Sequence, residues 1–139
     1  MPPNFKKDAA LLAQFLNEVP AGLRAAFEFR HPSWFDEEVF ALLNGKNIAL
    51  CLAESAEISA PVVATADYGY LRLRREDYTE ADMARWAETI EKKDVWQDVF
   101  VYLKHEESGI GPKLAKQLMG MLLRDGGMQT DGGLESAAP

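Results

Sequence analysis

The sequence predicts an α/β fold with parallel strands, because strand-like and helix-like segments alternate four times along the chain. Two further observations support this class. The predicted strand over 48–53 is apolar on both faces, as expected of a parallel strand that is covered on each side. The chain has 139 residues and a single cysteine, so one apolar core without disulfides must stabilise one domain.

In the first half of the chain we predict two helices and two strands. Apolar residues at helical spacing indicate the first helix, and Pro20-Ala21-Gly22 ends it. Ser33 and Asp36 resemble a capping box at the start of the second helix, and Gly45 fits its C-terminal end. The predicted ranges are a helix over 8–19, a strand over 23–30, a helix over 35–44 and a strand over 48–53.

The second half of the chain continues the alternation. Residues 62–66 are read as a short strand or as an extended approach to the next one. Thr79 and Asp82 begin a helix, and Gly111-Pro112 begins the last helix, since proline suits a first helical turn. The tail over 125–139 has no periodicity and is predicted to be disordered, which leaves a domain over 1–124. The remaining predicted ranges are a strand over 68–74, a strand over 98–104 and a final helix over 111–123.

Charge and composition argue against several classes of function. The net charge of −7 disfavours a general nucleic-acid binder or a binder of anionic membranes, both of which need a basic face. The N-terminus has no apolar core typical of a secretory signal, and no apolar run approaches the roughly 18 residues that cross a bilayer. Cytoplasm is the expected location. Cys51 lies in an apolar run and is expected to be a small buried core residue.

The stretch from Phe27 to Phe35 is the most informative part of the chain, because Glu28 and Arg30 alternate with phenylalanine in a predicted strand. An unpaired charge in a protein interior costs several kcal/mol. One face of this strand should therefore lie against packed helices and the other against a polar cavity. This arrangement indicates a ligand site at the point where the strand ends in a turn.

The same stretch carries a resemblance to the YecE-like family, also called domain of unknown function 72. The run Phe-Glu-Phe-Arg-His-x-x-Trp over 27–34 is its most specific element, and the match extends from Pro2 to about Leu123. Family members look like TIM-type (β/α)8 barrels of roughly twice this length, and their activity is not established. Other matching segments are 2–8, 65–67, 70–73 and 101–102.

The resemblance implies that the chain holds the C-terminal half of such a barrel, with strands five to eight in residues 1–124. The family's N-terminal half, with its Gly-Thr-Ser-Gly-Trp motif, is absent from this sequence. The last strand commonly ends in an Asn-containing motif in the family, but here it reads Lys104-His105-Glu106.

In a (β/α)8 barrel, functional side chains lie at the C-terminal ends of strands, and alternate residues face the lumen. We therefore expect Glu28 and Arg30 to face the lumen, together with Arg72 and Lys104 of later strands. A guanidinium group matches phosphate and carboxylate bidentately, so these residues predict a pocket for a small anionic metabolite. The alternative is an internal ion-pair network that fills the lumen and binds nothing.

Further residues are assigned to this pocket by position. Glu28 or His31 is predicted to move a proton, since either side chain can act as an acid or a base. Trp34 is read as a stacking wall for a ligand or as a packing residue. The loop over 107–111 leads into a helix N-terminus, where barrels often hold phosphate on backbone N–H groups. The remaining predicted substrate-binding residues are His105, Gly109 and Gly111.

A second interpretation is that the titratable residues at the strand ends serve acid–base or metal chemistry. Histidine together with carboxylates can ligate a divalent cation. No His-x-x-x-His or similar spacing supports a metal, although ligands from different strands would leave no local signature. The sequence thus identifies neither a metal nor a cofactor. The candidate residues at or just beyond strand ends are His31, Glu54, Asp67, His105 and Glu106.

Three hypotheses of function therefore stay open. In the first, the protein binds or transforms a small anionic metabolite. In the second, it is a non-enzymatic half-barrel whose open strand edges need a second copy or a complementary N-terminal half, or it is a truncated fragment without activity. The third is metal-dependent phosphodiester or sugar chemistry, and the acidic composition disfavours nucleic acid as its substrate.

Overall fold

Parallel strands joined by helices form the framework, as the alternating patterns predict. A computed structural model describes residues 2–104, 110–124 and 134–137. None of the helices in these residues combines the length and the hydrophobicity that a membrane span requires. The elements are α1 (Ala9–Glu18), β1 (Ala26–Phe27), a 3₁₀ turn (Pro32–Trp34), α2 (Glu37–Gly45), β2 (Ala49–Glu54), β3 (Tyr68–Leu73), α3 (Glu80–Lys92), β4 (Asp98–Lys104), α4 (Ile110–Arg124) and β5 (Leu134–Ala137).

The strands lie in the sheet in chain order, and every neighbouring pair is parallel. Right-handed crossovers between sequential parallel strands place their helices on the same face of a sheet. The main apolar core agrees with this, because strand residues such as Leu71 and Val101 share it with Val39 and Met83 of the helices. Leu71 and Val101 are also direct partners in the register of β3 and β4.

The opposite side of the sheet, here called the open face, has a separate and smaller apolar cluster. No helix residue belongs to that cluster among the described residues. The rings of Tyr70 and Tyr102 are in contact on this face, with centroids 5.1 Å apart. The open face consists of Ala26, Glu28, Ala49, Cys51, Tyr68, Tyr70, Arg72, Phe100 and Tyr102.

The first strand is much shorter than the predicted range over 23–30. Only Ala26 and Phe27 pair with β2, and the Ala25 carbonyl oxygen also accepts a hydrogen bond from the Ala49 N–H at 3.0 Å. The Tyr68 hydroxyl accepts a hydrogen bond from the Ala25 N–H and donates one to its carbonyl oxygen, both at 2.8 Å. The Tyr68 side chain thus provides hydrogen bonds to the backbone that the neighbouring strand would provide if β1 were longer.

The predicted capping box at Ser33 and Asp36 is wrong, and α2 begins later than expected. Asp36 is itself the N-cap and accepts a hydrogen bond from the Val39 N–H at 3.0 Å. The Ser33 hydroxyl is already occupied, because it accepts from the Lys7 N–H at 2.7 Å. The corresponding prediction for α3 is confirmed, since Thr79 and Asp82 form a reciprocal capping box.

Residues 62–66 form no strand, because the Thr65 hydroxyl takes the place of a ladder. It donates to the Ile48 carbonyl at 2.7 Å and accepts from the Leu50 N–H at 2.8 Å. Asp67 then binds the side chain of Asn47, a residue in the left-handed region with φ of 52°. Because Asp67 precedes β3, it lies at the opposite end of the sheet from the strand C-termini. Its predicted place among acid–base residues is therefore wrong.

Part of the predicted disordered tail is a strand in the structure. Residues 134–137 pair with β4 in parallel, and Val101 lies opposite Leu134. An edge strand presents unpaired N–H and C=O groups, which a short segment can satisfy. The other residues of 125–139 lie outside the part of the chain that the structure describes.

Gly69 of β3 is required by close packing. A Cβ atom at this position would lie 2.9 Å from Cδ2 of Trp96, a side chain that is itself buried. We expect Gly69→Ala to lower the free energy of unfolding by about 1–3 kcal/mol, because overpacking forces side chains or backbone to shift. Chemical denaturation followed by tryptophan fluorescence measures this change.

Gly120→Ala is the control for that measurement. A Cβ atom at Gly120 in α4 would meet no atom within 4 Å. This variant should be up to about 1 kcal/mol more stable than the original, because alanine favours a helix over glycine. Equal stability of the Gly69→Ala variant and the original chain would show that Trp96 does not constrain this strand.

Candidate functional site

A cleft of about 1440 Å³ lies where the first three strands end. In parallel α/β sheets, ligands bind outside the carboxyl ends of strands. Here the segments that follow β1, β2 and β3 form the walls, and the first turns of α3 add one side. The lining residues are Pro3, residues 28–30, Pro32, residues 53–59, residues 74–77, Asp82 and Arg85.

Glu28 joins two arginines at one edge of this cleft. Its Oε1 accepts a hydrogen bond from Arg72 Nη1 at 2.6 Å, and its Oε2 accepts one from Arg30 Nε at 3.2 Å. The side chains of Glu28 and Arg72 are 17% and 23% exposed, so solvent screens this pair only in part. Two guanidinium groups share one carboxylate, and the cluster therefore keeps one positive charge that is not compensated.

The environment of Glu28 lowers the pKa of its carboxyl group. Burial by itself would raise this pKa, but attraction to Arg72 and the hydrogen bonds from Arg72 and Arg30 outweigh burial. A carboxylate with a lowered pKa is a weak base. Glu28 therefore orients its two arginines better than it could accept a proton.

Arg75 organises a second, more acidic wall of the cleft. Its Nε donates to Asp77 at 3.0 Å and its Nη2 donates to Asp82 at 3.2 Å. Its Nη1 lies 3.7 Å from Glu54 Oε1, and its guanidinium carbon lies 4.7 Å from the centre of the Tyr78 ring. One cation thus partly compensates three carboxylates and is fixed in place by them.

Arg74 differs from its neighbour because its guanidinium has no ion-pair partner among the described residues. Its backbone N–H donates to the Glu54 carbonyl oxygen at 2.8 Å, which continues the pairing of β2 with β3. Neither Arg74 nor Arg75 is among the residues that the sequence pattern predicts for the site. Two consecutive arginines at the end of a predicted strand are the signal that could have identified them.

Comparison with known families decides what kind of protein this is. Residues 1–135 match the family described as "Protein of unknown function DUF72". The chain belongs to this family. No curated protein matches the sequence.

Two solved structures of DUF72 family proteins are similar to the chain. One, from Enterococcus faecalis V583, has a TM-score of 0.71 and 14% identity over 100% of this chain and 61% of its own. The other, from Thermotoga maritima MSB8, has a TM-score of 0.67 and 21% identity over 88% of this chain and 55% of its own. At these identities the similarity shows the fold alone. The DUF72 chain described here spans little more than half the length of either relative.

Trp34 of this DUF72 protein lies in the apolar core, away from solvent. Its side chain is 1% exposed, its ring stacks on Phe29 with centroids 4.6 Å apart, and its Nε1 donates to the Phe5 carbonyl oxygen at 2.7 Å. These contacts correspond to the packing alternative and leave no ring face for a ligand.

His31 shapes the turn after β1 and is not among the residues that line the cleft. It is the N-cap of the 3₁₀ turn, where its Nδ1 accepts from the Ser33 N–H at 3.1 Å and lies 2.8 Å from Ser33 Oγ. Because Ser33 Oγ accepts from Lys7, its hydroxyl hydrogen is directed at Nδ1. The network therefore assigns the His31 ring proton to Nε2 and occupies Nδ1.

The other expected site residues have different outcomes. Cys51 is buried, and burial together with the charge of Glu28 raises the pKa of its thiol to about 12, so it is not a nucleophile. Lys104 ends β4, and its side chain lies outside the described part of the structure. His105, Glu106 and Gly109 are likewise outside it, while Gly111 lies in α4.

Metal-ligating residues do not cluster in the described part of the chain. No group of three or more histidine, cysteine, aspartate or glutamate side chains with suitable geometry occurs there. Glu54 is paired with Arg75 instead, and Glu28 with Arg72.

The lowered pKa of Glu28 predicts how its ion pair depends on pH. The pair contributes stability above the carboxyl's ordinary pKa of 4.5, and this contribution is lost as pH falls through the lower pKa of the folded state. At pH 7 we expect Glu28→Gln to cost about 1.5–3 kcal/mol, the range for hydrogen bonds to charged groups. Urea denaturation between pH 3 and pH 7 should show the two proteins converging in acid. A pH-independent difference would contradict the assignment.

Proposed function

We propose that the protein binds a small anionic metabolite, carrying phosphate or carboxylate, at the C-terminal ends of its strands. The single observation that carries this proposal is the sharing of Glu28 between Arg30 and Arg72, which leaves one positive charge beside the cleft. A guanidinium that is already oriented by a carboxylate can bind an anion with little further loss of conformational entropy.

The distribution of ion pairs supports the same conclusion. Three of the carboxylates on the other wall, those of Glu54, Asp77 and Asp82, are engaged by Arg75. Arg30 and Arg74 are the cations that these contacts leave available. Arg30 makes one bond of 3.2 Å and its side chain is 42% exposed, while Arg74 lines the cleft without an ion-pair partner in the described residues. An acidic protein thus presents two guanidinium groups at a single local site.

The enclosing architecture is part of the proposal. We propose that the sheet is the C-terminal half of a (β/α)8 barrel, comprising strands five to eight. Sequential parallel strands with one helix-covered face support it, because in such a barrel every helix lies outside the strands. The open face would then line the lumen, and the cleft would lie at the catalytic end.

Binding of inorganic phosphate tests the proposed site. We expect Arg30→Ala and Arg74→Ala each to weaken binding about tenfold or more, because each removes a charged hydrogen bond to the anion. Isothermal titration at low and moderate salt measures both the affinity and its decrease with ionic strength. Acetate in place of phosphate shows which anionic group is preferred.

Arg24→Ala is the matched control for those variants. Arg24 pairs with Asp98 at 2.7 Å near the start of β4, at the opposite end of the sheet from the cleft. Its removal changes the net charge by the same amount and should leave phosphate affinity unchanged. Failure of the original protein to bind phosphate or acetate would refute the proposal, and so would equal losses in all three variants.

A second candidate function follows from the open face. Tyr70, Phe100 and Tyr102 are only partly buried there, and the described residues provide no helix over them. We propose that a second copy of the chain covers this face and that association, not catalysis, is its role. Within the open face, Arg72 is compensated by Glu28, and the additional positive charge of Arg30 lies at the cleft. Two such faces would therefore not repel each other strongly.

Sedimentation velocity tests this association. The original chain should sediment as a dimer at micromolar concentration, and Tyr70→Lys with Tyr102→Lys should shift it to monomer, because four like charges would then meet at the interface. Phe15→Lys is the control, since Phe15 is exposed on α1 and away from the open face. A cooperatively folded monomer at all concentrations would eliminate this second candidate.

A further inference from the structure

We infer that residues 55–60, here called the flap, close over the cleft when an anion binds and open to release it. This inference rests on the anion site proposed above and adds how access to that site is regulated. The flap follows β2 and forms one wall of the cleft, beside Arg74. Its hydrogen bonds, its separation from the apolar core and the free volume on both of its sides support the inference.

The flap is a short hairpin that turns back along the end of β2. Ser59 forms an antiparallel bridge with Glu54 at its base. Ser55 closes the turn, because its N–H donates to the Ile58 carbonyl oxygen at 2.9 Å. The Ser55 Oγ also accepts from the N–H groups of Glu57 and Ile58, both at 3.3 Å. A hairpin that is held by its own bonds can move as one unit.

The flap does not belong to the apolar core. Leu52 before it is buried in the core and Val63 after it packs against the core, but no residue between 53 and 62 is part of either apolar cluster. Within the described part of the chain, the hydrogen bonds of residues 55–59 also stay inside the hairpin, and these residues form no ion pair. A segment with so few buried contacts opens at a low cost in free energy.

Free volume lies on both sides of the flap. Residues 53–59 line the 1440 Å³ cleft in front of it. A cavity of about 350 Å³, here called the rear cavity, separates Ser59 and Val62 from Trp86 and Thr89 of α3. The flap can therefore move toward the cleft or toward α3 without displacing a residue of the core.

The other described walls of the cleft are fixed by ion pairs. Glu28 binds Arg72 at 2.6 Å on one wall, and Arg75 binds Asp77 and Asp82 on another. The flap lacks such a contact in the described residues, so it is the wall that can respond to a ligand. Closure of a flap excludes water from a site, and electrostatic interactions with a bound anion are stronger where water is excluded.

Hydrogen exchange with inorganic phosphate as the probe tests the inference. Without phosphate, we expect the amides of residues 55–60 to exchange at least about tenfold faster than the paired amides of β2 and β3, because opening of the flap exposes no core. Saturating phosphate should slow exchange over 55–60 about fivefold or more and leave β4 unchanged. Sodium chloride at the same ionic strength is the control and should have no such effect.

Tryptophan fluorescence gives a second measurement, because it reports on the rear cavity. Trp86 lines this cavity, whereas Trp34 and Trp96 are buried. We expect phosphate to increase the quenching of tryptophan fluorescence by acrylamide, since closure over the cleft moves the flap away from Trp86. The increase should be absent in Trp86→Phe.

Two serine variants form a matched pair. Ser55→Ala removes the side-chain bonds that close the turn, so it should weaken phosphate binding about threefold or more, because a looser flap loses more conformational entropy on closing. Ser59→Ala removes the same group from the same wall, but the Ser59 hydroxyl has no hydrogen bond among the described residues. Its phosphate affinity should match that of the original protein, and thermal melting checks that both variants fold.

Several outcomes would overturn the inference and leave the anion site intact. One is phosphate binding with unchanged exchange over 55–60, and another is equal protection throughout the chain, which indicates general stabilisation. Equal losses of affinity in the two serine variants would also contradict closure of an ordered flap. If the original protein binds neither phosphate nor acetate, the anion site is rejected and flap closure with it. Exchange and fluorescence of the original protein stay decisive even where a variant fails to fold.

Discussion

The ion pair between Glu28 and Arg72 is the interaction on which the candidate site depends. β1 contributes only two residues to the sheet, so its ladder alone fixes the following segment poorly. Glu28 crosses β2 to reach Arg72 at 2.6 Å, and Tyr68 similarly bonds the backbone of Ala25. These two side-chain bridges hold the first strand and set the direction of Arg30. These two interactions therefore position the edge of the cleft at which Arg30 lies.

The two faces of the sheet differ in role, because one carries the apolar core and the other carries the polar side chains. Strand residues of one parity pack on the helices in a continuous apolar core, which supplies most of the stabilising burial. Residues of the other parity carry the ion pair, the tyrosines and a shielded cysteine. Polar groups are tolerated on that side because Glu28 and Arg72 are paired with each other, and the strand ends present further guanidinium groups at the cleft.

The elements were predictable from the sequence because their causes are local. Apolar periodicity located four helices and the strands at 48–53, 68–74 and 98–104 with errors of one or two residues, and the Thr79 cap was recognised from its spacing. The errors occurred where a side chain distant in sequence competes with a local pattern. The Lys7 N–H donates to the Ser33 hydroxyl, which is then not available as a helix cap. The hydroxyl groups of Thr65 and Tyr68 bind backbone groups of neighbouring segments in place of strand pairing. Such bonds join residues up to 43 positions apart and leave no local trace.

The α/β class was predictable from short-range patterns alone. The convergence of Glu28, Arg30 and Arg72 was predictable from strand parity together with the barrel that the family resemblance implies. Only the tertiary structure decided that Trp34 is a core residue, that His31 caps a turn, and that Arg74 and Glu54 lie together at the cleft. These outcomes depend on which hydrogen bonds are satisfied once the elements pack. Whether a hydrogen-bonding group has a partner depends on residues that are close in space but distant in the sequence, so a local sequence pattern cannot show it.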